Sequence, residues 1–423
     1  MSATETPRAI DAVWRIESPK LIAALTRIVR DIATAEDLAH DVLVTALEQW
    51  PQTGIPQNPA AWLMAAGKRR AIDVIRRAKM IERKHAELGH DLDTESEMPD
   101  VDDVLDDDIG DDLLRLIFIA CHPILSIDGR VALTLRLLGG LTTEEIARAF
   151  LVPAQTIAQR IVRAKKTLSK ARISFDVPRG DERRARLSAV LEVVYLIFNE
   201  GYSATTGGDW MRPALCEDAL RLGRVLAELV PDVAEVHGLV ALMEIQASRA
   251  NARTTADGTP ILLLDQNRAL WDQLLIRRGL AALARAAELG GVAGPYALQA
   301  AIAACHARAR TAAETDWRGI VLLYELLATV MPSPIVELNH AVAVSMAFGP
   351  QAGLDLVDAL TGDAKLQHYH LLASVRGDLL VKVGRAGEAR AEFERAAAQT
   401  NNVRERELLL ERASTCAALA PPS

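Results

Sequence analysis

LTTEEIARAFLVPAQTIAQRIVRAKKTLSK, residues 141–170, decides how this chain is read. It predicts two helices joined by a tight break, the second long and basic. Thr142 and Glu145 have the spacing of a capping box, in which each side chain satisfies the other's backbone amide. Pro153 has no amide hydrogen and pushes Val152 out of helical geometry, so the chain turns there and restarts. On the second helix Ile157, Ile161, Ala164 and Leu168 recur on one face. Gln155, Gln159, Arg163, Lys166 and Lys170 fall opposite. One face then packs on a core while the other presents amide forks and cations, as a helix in a DNA major groove requires. The bland alternative is a solvated basic helix or one hairpin of a helical repeat. A local excess favours the polyanion: residues 141–172 hold seven Lys or Arg against two Glu, in a chain of net charge −8.

Working outward, 423 residues exceed one ordinary core, so two or three domains are expected. Abundant Ala, Leu, Arg and Glu, few alternating β-branched runs and 4% aromatics predict an all-α protein. Cys121, Cys216, Cys305 and Cys416 lie far apart with no CxxC pair, which predicts free thiols in a reducing cytosol. Cys121–His122 stands without a further Cys or His close by in sequence, so no metal site and no cofactor are expected. No apolar run reaches the length of a membrane span and the N-terminus lacks a signal-peptide pattern, so no membrane partner is expected and a cytoplasmic location is.

Residues 91–112 contain twelve Asp or Glu and no Lys or Arg. Such a composition predicts an extended, flexible acidic linker. It separates a helical block at 8–90 from a second at 113–174. A polar join near 177–181 leads into a third, all-helical region, 182–420. In TAEDLAHDVLVTALEQW (34–50), Thr34 is expected to cap a helix whose buried stripe is Leu38, Val42 and Ala46. Asp37, Asp41 and Glu48 share another face, suited to a basic partner or simply solvated. A loop at 51–60 with several Pro and Gly precedes a basic helix with Leu63, Ala71, Val74 and Ile75 toward the core. Trp62, Arg69 and Arg76 recur every seven residues on the other side. An exposed Trp beside arginines suits single-stranded DNA, the ring stacking on a base while cations follow the backbone; as a core anchor it would instead be buried.

In order, an acidic-striped helix, a loop, a Trp-led basic helix, an acidic linker and a basic helix-turn-helix resemble the bacterial sigma factors of the extracytoplasmic-function type. The matching residues are Ala35–Leu38, then Pro59, Trp62, Leu63, Arg70–Asp73, Arg76 and Arg77, then Gly140–Arg163. Lys68 stands where Asn is more usual. The resemblance covers roughly residues 10–172 and implies a transcription initiation factor with core RNA polymerase and promoter DNA as partners. It implies that Asp37, Asp41 and Glu48 dock on the polymerase, and that Asn58, Trp62, Arg69, Arg76 and Arg77 open and read the −10 element. Gln155, Thr156, Gln159 and Arg163 would read the −35 element, with Arg160, Lys165 and Lys166 on phosphates.

The remainder resembles the large C-terminal extension of one subgroup of that family, through IFNEGYSAT (197–205), LLLDQNRALWD (262–272) and GPYALQAAIAACHA (294–307). Gly377, Leu380, Ala389, Phe393 and Ala396 have tetratricopeptide-like spacing, echoed by Ala352, Leu356 and Ala359. Such hairpins offer a surface for a peptide or protein partner and are expected to regulate the first half in cis or through that partner. Asn199, Glu200, Asp209, Asp265 and Asp272 are expected to cap and lock helices, and no motif of an enzyme is present. Two other readings remain at this point: a polymerase-independent helix-turn-helix regulator whose repeats bind an effector, and a scaffold in which the repeats carry the function.

Overall fold

A computed structural model describes residues 5–87, 109–171, 173, 178, 180–204, 210–255 and 258–419. Among them are eighteen α-helices, short 3-10 turns and no strand. The all-α reading is correct. The chain divides into two units, Met1–Val194 and Tyr195–Ser423.

The first unit opens with α1 (Glu5–Val29), α2 (Ile32–Thr53) and α3 (Pro59–Glu87), packed around Leu21, Leu25, Val42, Trp50 and Leu63. Gly67 lets α3 approach α1 closely: a Cβ there would stand 2.7 Å from Leu21 Cδ1. The stripe Leu38, Val42, Ala46 is buried as expected. The cap of α2 is not Thr34. Asp31, after a left-handed turn at Arg30 (φ 53°), accepts from both the amide and the hydroxyl of Thr34 at 2.7 and 2.8 Å. A carboxylate one turn earlier outcompetes the hydroxyl because it also favours the positive end of the helix dipole. Val74, expected inward, is exposed, while Leu63, Ala71 and Ile75 are buried.

Then follow α4 (Ile109–Ala120), α5 (Ile127–Leu137), α6 (Thr143–Phe150), α7 (Ala154–Lys170) and α8 (Gly180–Tyr202), the last running across the boundary between units. Most of the expected acidic linker, 91–108, lies outside the described residues. Its last residues are helical: α4 begins at Ile109, and Asp112 is buried where it accepts from Arg27 at 2.9 Å and Arg115 at 2.8 Å. Burial alone raises its pKa more than the two guanidiniums lower it.

The second unit stacks α9 (Pro213–Leu229), α10 (Ala234–Ala247), α11 (Gln273–Glu288), α12 (Pro295–Arg308), α13 (Trp317–Val330), α14 (Pro334–Phe348), α15 (Pro350–Leu360), α16 (His370–Lys382), α17 (Ala386–Gln399) and α18 (Val403–Leu419), each packed on the next, with α12 also packed on α10. Phe393 fills the gap between α16 and α17, and a Cβ on Gly377 would meet its ring at 2.8 Å. The preceding hairpin has the same construction shifted by one residue. Gly353, Val357 and Leu360 are the buried positions, while Ala352 is half-buried and Leu356 and Ala359 are exposed. With Val in place of Phe, small-residue spacing alone does not fix the register.

Candidate nucleic-acid interface

The helix pair α6–α7 forms as its sequence dictates. Thr142 Oγ1 accepts from the Glu145 amide at 3.1 Å, and Glu145 Oε2 accepts from the Thr142 amide at 2.8 Å. Leu151 then takes a left-handed conformation (φ 51°, ψ 43°), closing α6 before Pro153 starts α7. Ile157, Ile161, Ala164 and Leu168 are buried, and α7 packs on α5 and α6 through them. Gln155, Gln159, Arg163 and Lys166 are exposed, and Thr156 is half-buried. Val162, 63% exposed among them, is an apolar residue interrupting that polar face, so the amphipathic pattern alone does not single it out. Gln amides and Arg forks match base edges, lysines match phosphates, and an apolar tip matches a thymine methyl.

Two of the cations on α7 are engaged within the chain. Arg160 pairs with Asp128 at 2.7 Å, and Lys165 pairs with Glu36 on α2. Glu36 is 4% exposed and also accepts from Arg136 Nε at 2.6 Å. His40 completes the group. Its Nδ1 sits 2.8 Å from the Glu36 carbonyl and its Nε2 lies 2.9 Å from Arg136 Nη2. The carbonyl only accepts and the guanidinium only donates, so these partners suit the His40 tautomer that donates from Nδ1 and accepts at Nε2. Burial pushes the Glu36 carboxyl up, but Lys165 and then Arg136 hold it below the ordinary carboxylate range. Arg15 on α1 joins Glu145 on α6 at 2.6 Å. Glu36 belongs to the same short acidic run as Asp37, and nothing in its local sequence marks it for burial.

On α2, Asp37, Asp41 and Glu48 are exposed. Val44 (51% exposed) lies on the same face and Leu47 (45%) beside it, so the face is mixed apolar and acidic rather than purely acidic. On α3, Arg69, Arg76 and Arg77 are exposed. Trp62 is half-buried, its ring edge-on to the fully buried Trp50 at 5.3 Å. It is therefore both an anchor and partly accessible. Asn58 is exposed, and its Oδ1 accepts from the Ala61 amide at 3.0 Å, capping α3. In the second unit Asp272 caps α11 through the Leu274 and Leu275 amides at 2.8 and 3.1 Å. Glu200 pairs with Arg212, and Asp209 lies outside the described residues. The four cysteines are free, and burial pushes the Cys121 thiol up to about 11. No group of metal-ligating side chains occurs among the described residues, and no helix is long and apolar enough to cross a membrane.

Three family models match the chain: sigma-70 region 2 over residues 14–80, sigma-70 region 4 over 115–168, and a family of unknown function (DUF6596) over 186–287. An uncharacterized protein of Rhizobium meliloti (strain 1021) is 43% identical over 94% of this chain and 93% of its own length. A probable ECF RNA polymerase sigma factor, SigI, of Mycobacterium tuberculosis is 25% identical over 41% of this chain and 59% of its own. No solved structure matches.

Proposed function

The chain belongs to the RNA polymerase sigma factors of the extracytoplasmic-function type, with a C-terminal helical extension, and on that footing we propose how its surfaces divide the work of initiation. The outward face of α7 reads the −35 element through Gln155, Thr156, Gln159 and Arg163, and Lys166 holds the backbone. The separation of that face from the buried stripe Ile157, Ile161, Ala164, Leu168 is the observation that carries this reading. Arg69, Arg76 and Arg77 on α3 follow the opened −10 strand, and the partly accessible ring of Trp62 stacks on an unpaired base. Asp37, Asp41 and Glu48, joined by Val44 and Leu47, form the polymerase-docking face of α2. Arg160 and Lys165 contact phosphates once they exchange Asp128 and Glu36 for DNA.

The second unit controls this activity, in cis or through a protein partner. Reconstituted transcription with core polymerase, comparing the full chain with a truncation after Arg172, tests that division. The reading predicts promoter-dependent transcription whose level changes strongly on truncation. Tight promoter binding without polymerase, combined with no transcription in its presence, would instead favour a polymerase-independent regulator.

A further inference from the structure

The second unit contains a group of cations that the promoter-reading account does not use. Arg249, Arg253 and Arg268 alternate with two aromatic rings. The Arg253 guanidinium lies 3.5 Å from the centroid of the Tyr202 ring, and that of Arg249 lies 5.7 Å from it. Arg249 also stands 5.8 Å from the Trp271 ring, and Arg268 lies 4.9 Å from the same ring. Arg249 is 9% exposed and Arg253 7%. Tyr202 and Arg268 are half-buried, which gives the ladder an edge toward solvent.

The protein ligands of these guanidiniums are neutral. Arg249 Nη2 donates to the Gln246 side chain and Arg253 Nη1 to the Tyr202 carbonyl. Arg268 donates to the carbonyls of His306 and Ala309, at 2.5 and 2.8 Å, and to Thr315 Oγ1 at 3.1 Å. Among the described residues no carboxylate pairs with any of the three; Glu314 acts on Arg268 only through space. Arg249 Nε and Trp271 Nε1 are buried donors with no hydrogen-bond partner.

A buried charge is normally paired, and a ring face offsets only part of its desolvation. Three adjacent guanidiniums therefore leave positive potential that no ion pair among the described residues balances and that Glu314 offsets only from a distance. The potential is felt at His306, where burial, then Arg249 and Arg268, hold the imidazole down at about 4. Forked guanidinium donors are the side chains best matched to oxyanions. We propose that this cluster is a binding site for a small oxyanion, a carboxylate or a phosphate, with Arg249 Nε and Trp271 Nε1 as donors held ready for it. The two sequence runs 197–205 and 262–272, which have no part in promoter reading, supply Tyr202, Arg268 and Trp271 to this site.

Calorimetric titration of the full chain with inorganic phosphate and, separately, with acetate tests the site, at ionic strength fixed with sodium chloride. The expected result is saturable binding of one or both anions, weakened about tenfold or more in Arg249→Gln. Arg390→Gln, which removes an exposed cation on α17, leaves it unchanged. Arg249→Lys keeps a charge but loses the fork, and it serves as the test if Arg249→Gln does not fold. Phosphate binding alone marks a phosphoryl ligand, and acetate binding alone a carboxylate. Absence of saturable binding for both anions, or affinity unchanged in the Arg249 variants, would overturn the proposal.

Discussion

Glu36 on the helix proposed to dock on polymerase and Lys165 on the helix proposed to read DNA form an ion pair that solvent scarcely reaches. Arg136 closes the same carboxylate from the other side. Two segments about 130 residues apart in sequence are thereby tied through one buried charge.

Glu36→Gln removes that charge and leaves two cations facing a neutral amide. Breaking a buried pair from one side costs about 3–5 kcal/mol. Urea denaturation followed by tryptophan fluorescence should show a loss of this order. The wild-type contribution is complete above the ordinary Glu value of 4.5 and disappears as pH falls through the lower folded value. The variant should therefore show a flatter stability profile below pH 4.5 than the wild type.

His306 predicts acid sensitivity in a different window. Its folded value of about 4 lies below its ordinary 6.5, so the unfolded chain takes up the proton first. Stability is lost as pH falls from 6.5 toward 4, by about 3 kcal/mol if this group acts alone. In a histidine-resolved NMR titration His306 should stay neutral at pH 5; an ordinary midpoint near 6.5 would contradict the burial argument.

Gly377→Val tests the hairpin packing of the second unit. Valine gains helix propensity over glycine, but its side chain must displace a buried phenyl ring already in tight contact. Overpacking of this kind costs about 1–3 kcal/mol. A lowered thermal midpoint is expected, and partial recovery in Gly377→Val combined with Phe393→Leu.

Much of this architecture was legible in the sequence, and the omissions have physical causes. The α6–α7 pair was readable because capping box, proline break and apolar period are all local. The start of α2 is ambiguous in the sequence because Asp31 and Thr34 are both good caps, and the turn at Arg30 chooses between them. The repeat in α15 was displaced by one residue because Val357 does the work of an aromatic. Glu36 looks like its neighbour Asp37 until two distant cations bury it. The cluster around Arg249 is assembled from three segments, at 202, 249–253 and 268–271, joined by no regular period, so no spacing foretells it.

Val44→Asp should weaken binding to core polymerase with only a small change in melting temperature, since Val44 is 51% exposed. Asp37→Arg should act in the same direction. A pull-down with core polymerase checks both, and unchanged capture would move the docking face off α2.

Lys166→Ala should weaken binding to all promoters alike and reduce the salt dependence by about one counterion. Val162→Ser should instead act at one base position, where a thymine methyl is contacted.

The central claim is that α7 chooses the promoter for polymerase. Transcription from a library randomised in the −35 element, with core polymerase and full-length protein, measures that choice directly. The account predicts that Gln155→Ala and Gln159→Ala each relax selection at one base position by about 1–3 kcal/mol, with −10 preferences retained. Selection identical to wild type in both variants would contradict it.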